Sequence, residues 1–261
     1  MFIGIDIGNT STVLGLYKND EFSPFRSFRY PTDKNITSRE LFETIESSIG
    51  EIIHGDIENL QLFGMAFSSV VPELNKIYSS MAWDFLGVSA LEISCDSYFS
   101  IGINYDNPSE VGIDRIVNTE AAFHEFGPGC VVIDLGTAIT FDILNHDSEF
   151  DGGIIAPGIG TAIATLSEKA SKLPEVEFSK PKSIVARNTV EALKSGFYYG
   201  WVSLIEGIVS RIEESYGREY RVVLTGGYAG SIMDELSSKR EILMDTELTM
   251  KGIKRIYDNS I

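Results

Sequence analysis

Apolar and polar residues alternate over three short runs at the start of the chain, near residues 2–8, 12–18 and 24–30. That period of two is the one half-buried strands require, and short turns such as Lys18-Asn19-Asp20 separate the runs, so the pattern predicts an antiparallel meander. The period then changes. Leu41, Ile45, Ile49 and Ile52 recur at helical spacing and predict a helix over Ser38–Ile53, with Thr37 or Ser38 available as its cap. An apolar run over Leu62–Phe67 predicts the next strand, and Pro72, just beyond Ser68-Ser69-Val70-Val71, suits the first turn of another helix. The predicted order is three strands, helix, strand, helix, strand.

The second half repeats this order. Strands are expected near Val131–Asp134, Ile139–Leu144 and Gly153–Ile155, then helical segments over Pro157–Ser167 and Val185–Gly217. Gly196 and Gly200 are expected to kink or split the longer one. A strand over Val222–Leu224 then meets Thr225-Gly226-Gly227, the counterpart of the Ser68-Ser69 turn. The link between halves is expected in a helix around Pro108–Phe126 with the breaker cluster Gly127-Pro128-Gly129. The 261 residues therefore divide into expected domains at 1–118 and 119–261.

Composition narrows the function classes. Hydrophobic residues at 43% and charged residues at 23% are ordinary globular values, and no run reaches the roughly 18 apolar residues of a membrane span. The first residues lack the basic stretch and apolar core of a secretory signal. Cys95 and Cys130, without metal-like spacing, read as reduced thiols of a cytoplasmic protein. A formal net charge of −17 argues against nucleic acid or an anionic membrane as partner. It also means that an anionic ligand must be held by metal ions, backbone amides and a few local cations.

The chemistry is concentrated in a repeated phrase. Phe2-Ile3-Gly4-Ile5-Asp6-Ile7-Gly8-Asn9-Thr10 and Val131-Val132-Ile133-Asp134-Leu135-Gly136-Thr137-Ala138 are each an apolar strand ending in Asp-x-Gly and a polar residue. A carboxylate at a strand end can hold a hydrated cation while a glycine turn lets backbone N–H groups approach a phosphate. Asp6 to Thr12 forms the first candidate cradle, with Asn9, Thr10 and Ser11 as donors; a polar hairpin turn is the plainer reading. Asp6 and Asp134 are candidate cation ligands, or carboxylates that cap turns. In Gly112-Ile113-Asp114-Arg115, Asp114 could take a proton from a substrate hydroxyl and Arg115 could grip a carboxylate or phosphate. A capping pair at a helix start explains the same residues. His54, His124 and His146 show no zinc or triad spacing. Phe197-Tyr198-Tyr199-Gly200-Trp201 reads as core or subunit interface.

Together with Tyr105-Asp106-Asn107-Pro108, Gly152 to Gly158 and Lys172-Leu173-Pro174, these motifs resemble the acetate and sugar kinase, Hsp70 and actin superfamily, and within it type III pantothenate kinases. The resemblance implies an α/β fold of two tandem ribonuclease H-like domains, each a mixed five-stranded sheet with flanking helices, and an ATP cleft between them. It implies transfer of the ATP γ-phosphoryl group to the primary hydroxyl of pantothenate, the first step of coenzyme A synthesis. By the same resemblance Asp114 is the proton acceptor, and Tyr105, Gly112, Ile113, Asp114, Arg115 and Thr189 contact pantothenate. Asp6, Ile7, Gly8, Asn9, Thr10, Ser11, Thr12, Val13 and Thr137 contact ATP. The resemblance further implies that Asp134 binds a monovalent cation, potassium or ammonium, that magnesium accompanies ATP with Asp6 reaching it through water, and that the protein is a homodimer. Two alternatives stand beside this one, a non-catalytic nucleotide-binding regulator of the same fold and a kinase for another small hydroxylated substrate.

Overall fold

The computed structural model describes residues 1–18, 21–53, 61–237 and 241–261; the expected Asn19-Asp20 turn and His54 lie outside the described residues. The chain forms two compact units, one of Met1–Ser100, Asp106–Ala121 and Glu247–Ile261, the other of Ile101–Tyr105 and Ala122–Thr246.

The first unit opens with strands β1 (Phe2–Ile7), β2 (Ser11–Tyr17) and β3 (Arg26–Pro31), then helix α1 (Ser38–Ile53), β4 (Gly64–Ser69), α2 (Pro72–Leu86) and β5 (Ala90–Glu92). The sheet order is β3-β2-β1-β4-β5. β2 runs antiparallel to β1 and β3, whereas β4 is parallel to β1 and β5. Strand alternation sends Ile3, Ile5, Ile7, Leu14, Leu16, Met65 and Phe67 to one face, where they pack on Leu41, Ile45 and Ile49 of α1 and Leu74, Tyr78 and Met81 of α2. All of these side chains are buried, and each contributes about 1.5–3 kcal/mol by leaving water. α1 starts in a capping box: Glu40 N–H donates to Thr37 Oγ1, and Thr37 N–H donates to Glu40 Oε2.

β6 (Gly102–Ile103) belongs to the second unit, while α3 (Ile113–Phe126) starts in the first unit and ends in the second. The second unit continues with β7 (Cys130–Leu135), β8 (Ala138–Leu144), β9 (Glu149–Pro157), α4 (Ile159–Lys169), α5 (Thr189–Tyr216), β10 (Arg221–Thr225), α6 (Ala229–Ser237) and β11 (Ile242–Met244). Its sheet order, β11-β10-β7-β8-β9-β6, repeats the first sheet's and adds β6 beyond the third strand of the meander. The sheet therefore has six strands rather than the expected five, because Gly102 and Ile103 pair in parallel with Glu149 and Phe150.

Two further expectations need adjustment. α5 is one helix of 28 residues that passes through Gly196 and Gly200 unbroken. Its buried stripe of Ser195, Tyr198, Trp201, Val202, Ile205, Val209 and Ile212 holds it in place, and that burial outweighs about 1 kcal/mol per glycine. The 1–118 and 119–261 division also differs from the units found, because α7 (Leu248–Ser260) groups with the first unit. There Tyr257 packs on Phe2 with ring centroids 4.6 Å apart, and Tyr17 Oη donates to the Met250 carbonyl at 2.7 Å.

Candidate active site

In the first unit, β1 delivers Asp6 to its C-terminal end and the chain turns through Gly8, Asn9 and Thr10 into β2. Gly8 N–H donates to the Ser11 carbonyl at 3.1 Å, and a Cβ on Gly8 would stand 2.9 Å from that oxygen. Thr32 braces the turn from outside it. Its Oγ1 donates to the Gly8 carbonyl at 2.6 Å and lies 2.9 Å from Thr12 Oγ1, so the single Thr32 proton leaves Thr12 as donor between the two hydroxyls. Asn9 and Thr10 are exposed, whereas the Ile7 and Thr12 side chains are buried and only their backbone can serve a ligand. Arg29 Nη1 donates to Ser11 Oγ at 2.7 Å, which puts a cation beside the turn. Register sets Arg29, Val13, Asp6 and Ser68 in one row across β3, β2, β1 and β4, all on the same face. Sequence periodicity gave no sign of Arg29, Thr32 or Ser68 as part of this end; strand pairing places Arg29 and Ser68, and the bond to the Gly8 carbonyl places Thr32.

The same unit holds Gly112–Arg115 where the chain enters α3. Arg115 N–H donates to Asp114 Oδ1 at 2.9 Å and to the Gly112 carbonyl at 3.0 Å. A Cβ on Gly112 would sit 2.6 Å from Asp114 Oδ1, so glycine there keeps the carboxylate in place. Burial raises the Asp114 carboxyl above its ordinary value, opposed by the Arg115 N–H bond and by the Arg115 charge. Arg115 is itself 6% exposed.

In the second unit, Asp134 is the penultimate residue of β7 and after Leu135 the chain turns through Gly136 and Thr137 alone, with Gly136 N–H donating to the Ala138 carbonyl at 3.1 Å. Gly226, at φ 88°, follows β10 and would carry a Cβ only 2.4 Å from Asp134 Oδ1. Thr161 Oγ1 donates to the Thr137 carbonyl at 2.8 Å while the Thr137 side chain is exposed. Tyr105 lies against β9, with its ring 6.0 Å from that of Phe150 and next to Gly152. Thr189 is exposed at the first position of α5, whose Asn188 cap accepts from Glu191 N–H at 2.9 Å. The first unit thus gathers Asp6–Val13 and Gly112–Arg115, and the second gathers Tyr105, Asp134, Thr137 and Thr189.

The donor chemistry suits hard cations. Carboxylate, hydroxyl and carbonyl oxygens surround both turns, and among the described residues no three His, Cys, Asp or Glu side chains converge as a metal site. A hard cation at either turn would keep water and phosphate oxygens among its ligands, as magnesium does when it binds nucleotides.

Residues 2–211 match the family model for type III pantothenate kinases. A type III pantothenate kinase of Brevibacillus brevis is 41% identical over 260 residues, which cover 100% of this chain and 99% of the relative. One from Halalkalibacterium halodurans is 36% identical over 261 residues, 100% of both. A solved structure from Sinorhizobium meliloti, described as a 2-dehydro-3-deoxygalactonokinase, superposes with a TM-score of 0.59 at 13% identity over 99% of each chain. That likeness shows the fold, the one shared by sugar kinases, Hsp70 and actin. By sequence over its whole length, the chain belongs to the type III pantothenate kinase family.

Proposed function

We propose that this protein transfers the γ-phosphoryl group of ATP to the primary hydroxyl of pantothenate, giving 4'-phosphopantothenate and ADP at the head of coenzyme A synthesis. The observation that carries the reading is the Gly112–Arg115 segment in a chain of this family: a carboxylate with raised proton affinity beside a buried guanidinium at a helix start. Phosphoryl transfer asks for positioning and charge neutralisation more than for covalent chemistry. The pantothenate hydroxyl oxygen attacks the γ-phosphorus, the bond to the bridging oxygen of ADP breaks, and Asp114 accepts the hydroxyl proton. A raised carboxyl pKa makes Asp114 a better acceptor than an exposed aspartate. Arg115, Tyr105 and Thr189 orient pantothenate, Thr189 from the positive end of α5.

The Asp6–Val13 turn and Thr137 hold the ATP phosphates. Magnesium at Asp6, through water, and potassium or ammonium at Asp134 supply the positive charge that a chain of net charge −17 lacks. A homodimer in the cytoplasm completes the proposal; among the described residues no helix is long and apolar enough to cross a membrane.

The test is a coupled ADP-release assay with ATP and pantothenate, in potassium and in sodium. Pantothenate-dependent release is expected in potassium. No release under either condition overturns the reading, and release that needs a different alcohol assigns another substrate. Asp114→Asn is expected to lower turnover at least about 100-fold with ATP affinity nearly unchanged. The raised carboxyl also fixes a pH sign. Between the unfolded and folded pKa values the folded chain binds more protons, so stability falls as pH rises through that window. Asp114→Asn therefore melts higher than the parent at neutral pH, and the difference vanishes below about pH 4.

A further inference from the structure

Ser68, one residue before the end of β4, pairs with Asp6 and takes no part in any role assigned above. Its hydroxyl is fully buried and has no hydrogen-bond partner among the described residues. Buried hydroxyls are nearly always paired, because an unpaired one has lost water and gained nothing. Alanine would fill a β-strand position of this size without that cost. The register gives the hydroxyl its context. Ser68 pairs directly with Asp6 across parallel strands, so both side chains stand on the same face with their backbones about 5 Å apart. On that face the next strand contributes Val13, which offers no polar group. The second unit repeats the arrangement, with Thr225 of β10 paired to Asp134 of β7. A hydroxyl opposite the strand-end carboxylate is thus built into both sheets, although the segments that carry it, Ser68-Ser69-Val70 and Thr225-Gly226-Gly227, otherwise differ.

We infer that Ser68 is a positioning residue for Asp6: when magnesium and ATP are bound, its hydroxyl donates to one oxygen of the Asp6 carboxylate and leaves the other to receive the ion's water. Carboxylates that serve metal ions are themselves hydrogen-bonded, and removing such a partner typically weakens metal affinity or activity about 10-fold or more. The inference rests on the ATP-binding role proposed for Asp6.

The experiment compares the parent with Ser68→Ala and Ser68→Thr, the latter keeping a hydroxyl of the kind Thr225 supplies. Magnesium is titrated in two ways: as support for ADP release, and as support for the rise in melting temperature given by a non-hydrolysable ATP analogue. Ser68→Ala is expected to need about 10-fold more magnesium in both titrations, with the KM for pantothenate within about twofold of the parent. Its melting temperature without ligands is expected to equal or exceed the parent's, because no hydrogen bond inside the protein is lost. Ser68→Thr is expected to restore the parental magnesium dependence. An unchanged magnesium dependence in Ser68→Ala overturns the inference, as does a lower ligand-free melting temperature with magnesium dependence intact, which marks a purely structural hydroxyl. If the parent binds the analogue but shows no ADP release with pantothenate, the proposed reaction fails while the binding titration still decides the role of Ser68.

Discussion

The strand-end carboxylates Asp6 and Asp134 occupy the same place in two sheets of matching order, yet their surroundings differ. The turn after Asp6 has three residues between strands, Gly8, Asn9 and Thr10, while the turn after Asp134 has two, Gly136 and Thr137. The longer turn exposes Asn9 and Thr10 and is braced by Thr32 and flanked by Arg29. The shorter one is hemmed in from the neighbouring strand, where Gly226 brings backbone to within van der Waals reach of the Asp134 carboxylate. At the equivalent point of the first unit the chain has Ser69, whose Oγ accepts from Val71 N–H at 3.1 Å. One repeated Asp-x-Gly phrase thus stands in two settings, a longer turn with Asn9 and Thr10 exposed and a shorter one crowded by Gly226.

Substitutions at matched positions test that contrast. Gly226→Val has the largest expected effect. It forces a branched side chain to φ 88° and into Asp134, and a loss of about 3 kcal/mol or more should appear as a sharply lower melting temperature. At the matched position, Ser69→Ala loses one local hydrogen bond and should cost about 1 kcal/mol in the same measurement. If the two cost the same, the crowding at Asp134 is not what distinguishes the ends. Thr32→Val removes the brace on the first turn, and a rise of about fivefold in the KM for ATP with the KM for pantothenate unchanged is expected from steady-state kinetics. Arg29→Gln should have the smallest effect, about two- to threefold in the KM for ATP at low salt, and it should fade as ionic strength rises because Arg29 is exposed.

Much of this was legible in the sequence because it depends on local period. The alternating runs gave β1 to β3, the spacing of Leu41, Ile45 and Ile49 gave α1 with its Thr37 cap, and Pro72 marked the start of α2. The counterpart relation between Ser68-Ser69 and Thr225-Gly226-Gly227 reappears in the register, where Ser68 and Thr225 face Asp6 and Asp134. What stayed hidden depends on distant pairing. β6 has only Gly102 and Ile103, too short for any period to show, and exists because β9 offers an edge. α7 carries a buried stripe of Leu248, Ile253, Ile256 and Tyr257, but nothing local says that the end of the chain packs on Phe2. The glycines of α5 misled because the propensity cost at Gly196 and Gly200 is local while the compensating burial is tertiary. At the site, Asp6, Asp134 and Gly112–Arg115 could be named from motif chemistry. Arg29, Thr32 and Ser68 could not, since each reaches its place through strand pairing or a bond across the fold.

The division of labour between the two carboxylates is tested most directly by ADP release from Asp6→Asn and Asp134→Asn, each titrated with magnesium at fixed potassium and with potassium at fixed magnesium. Asp6→Asn is expected to raise the magnesium requirement with little change in potassium dependence, and Asp134→Asn to lose potassium activation while its magnesium dependence stays near the parent's. Equal shifts in both titrations for both variants would contradict that division of labour.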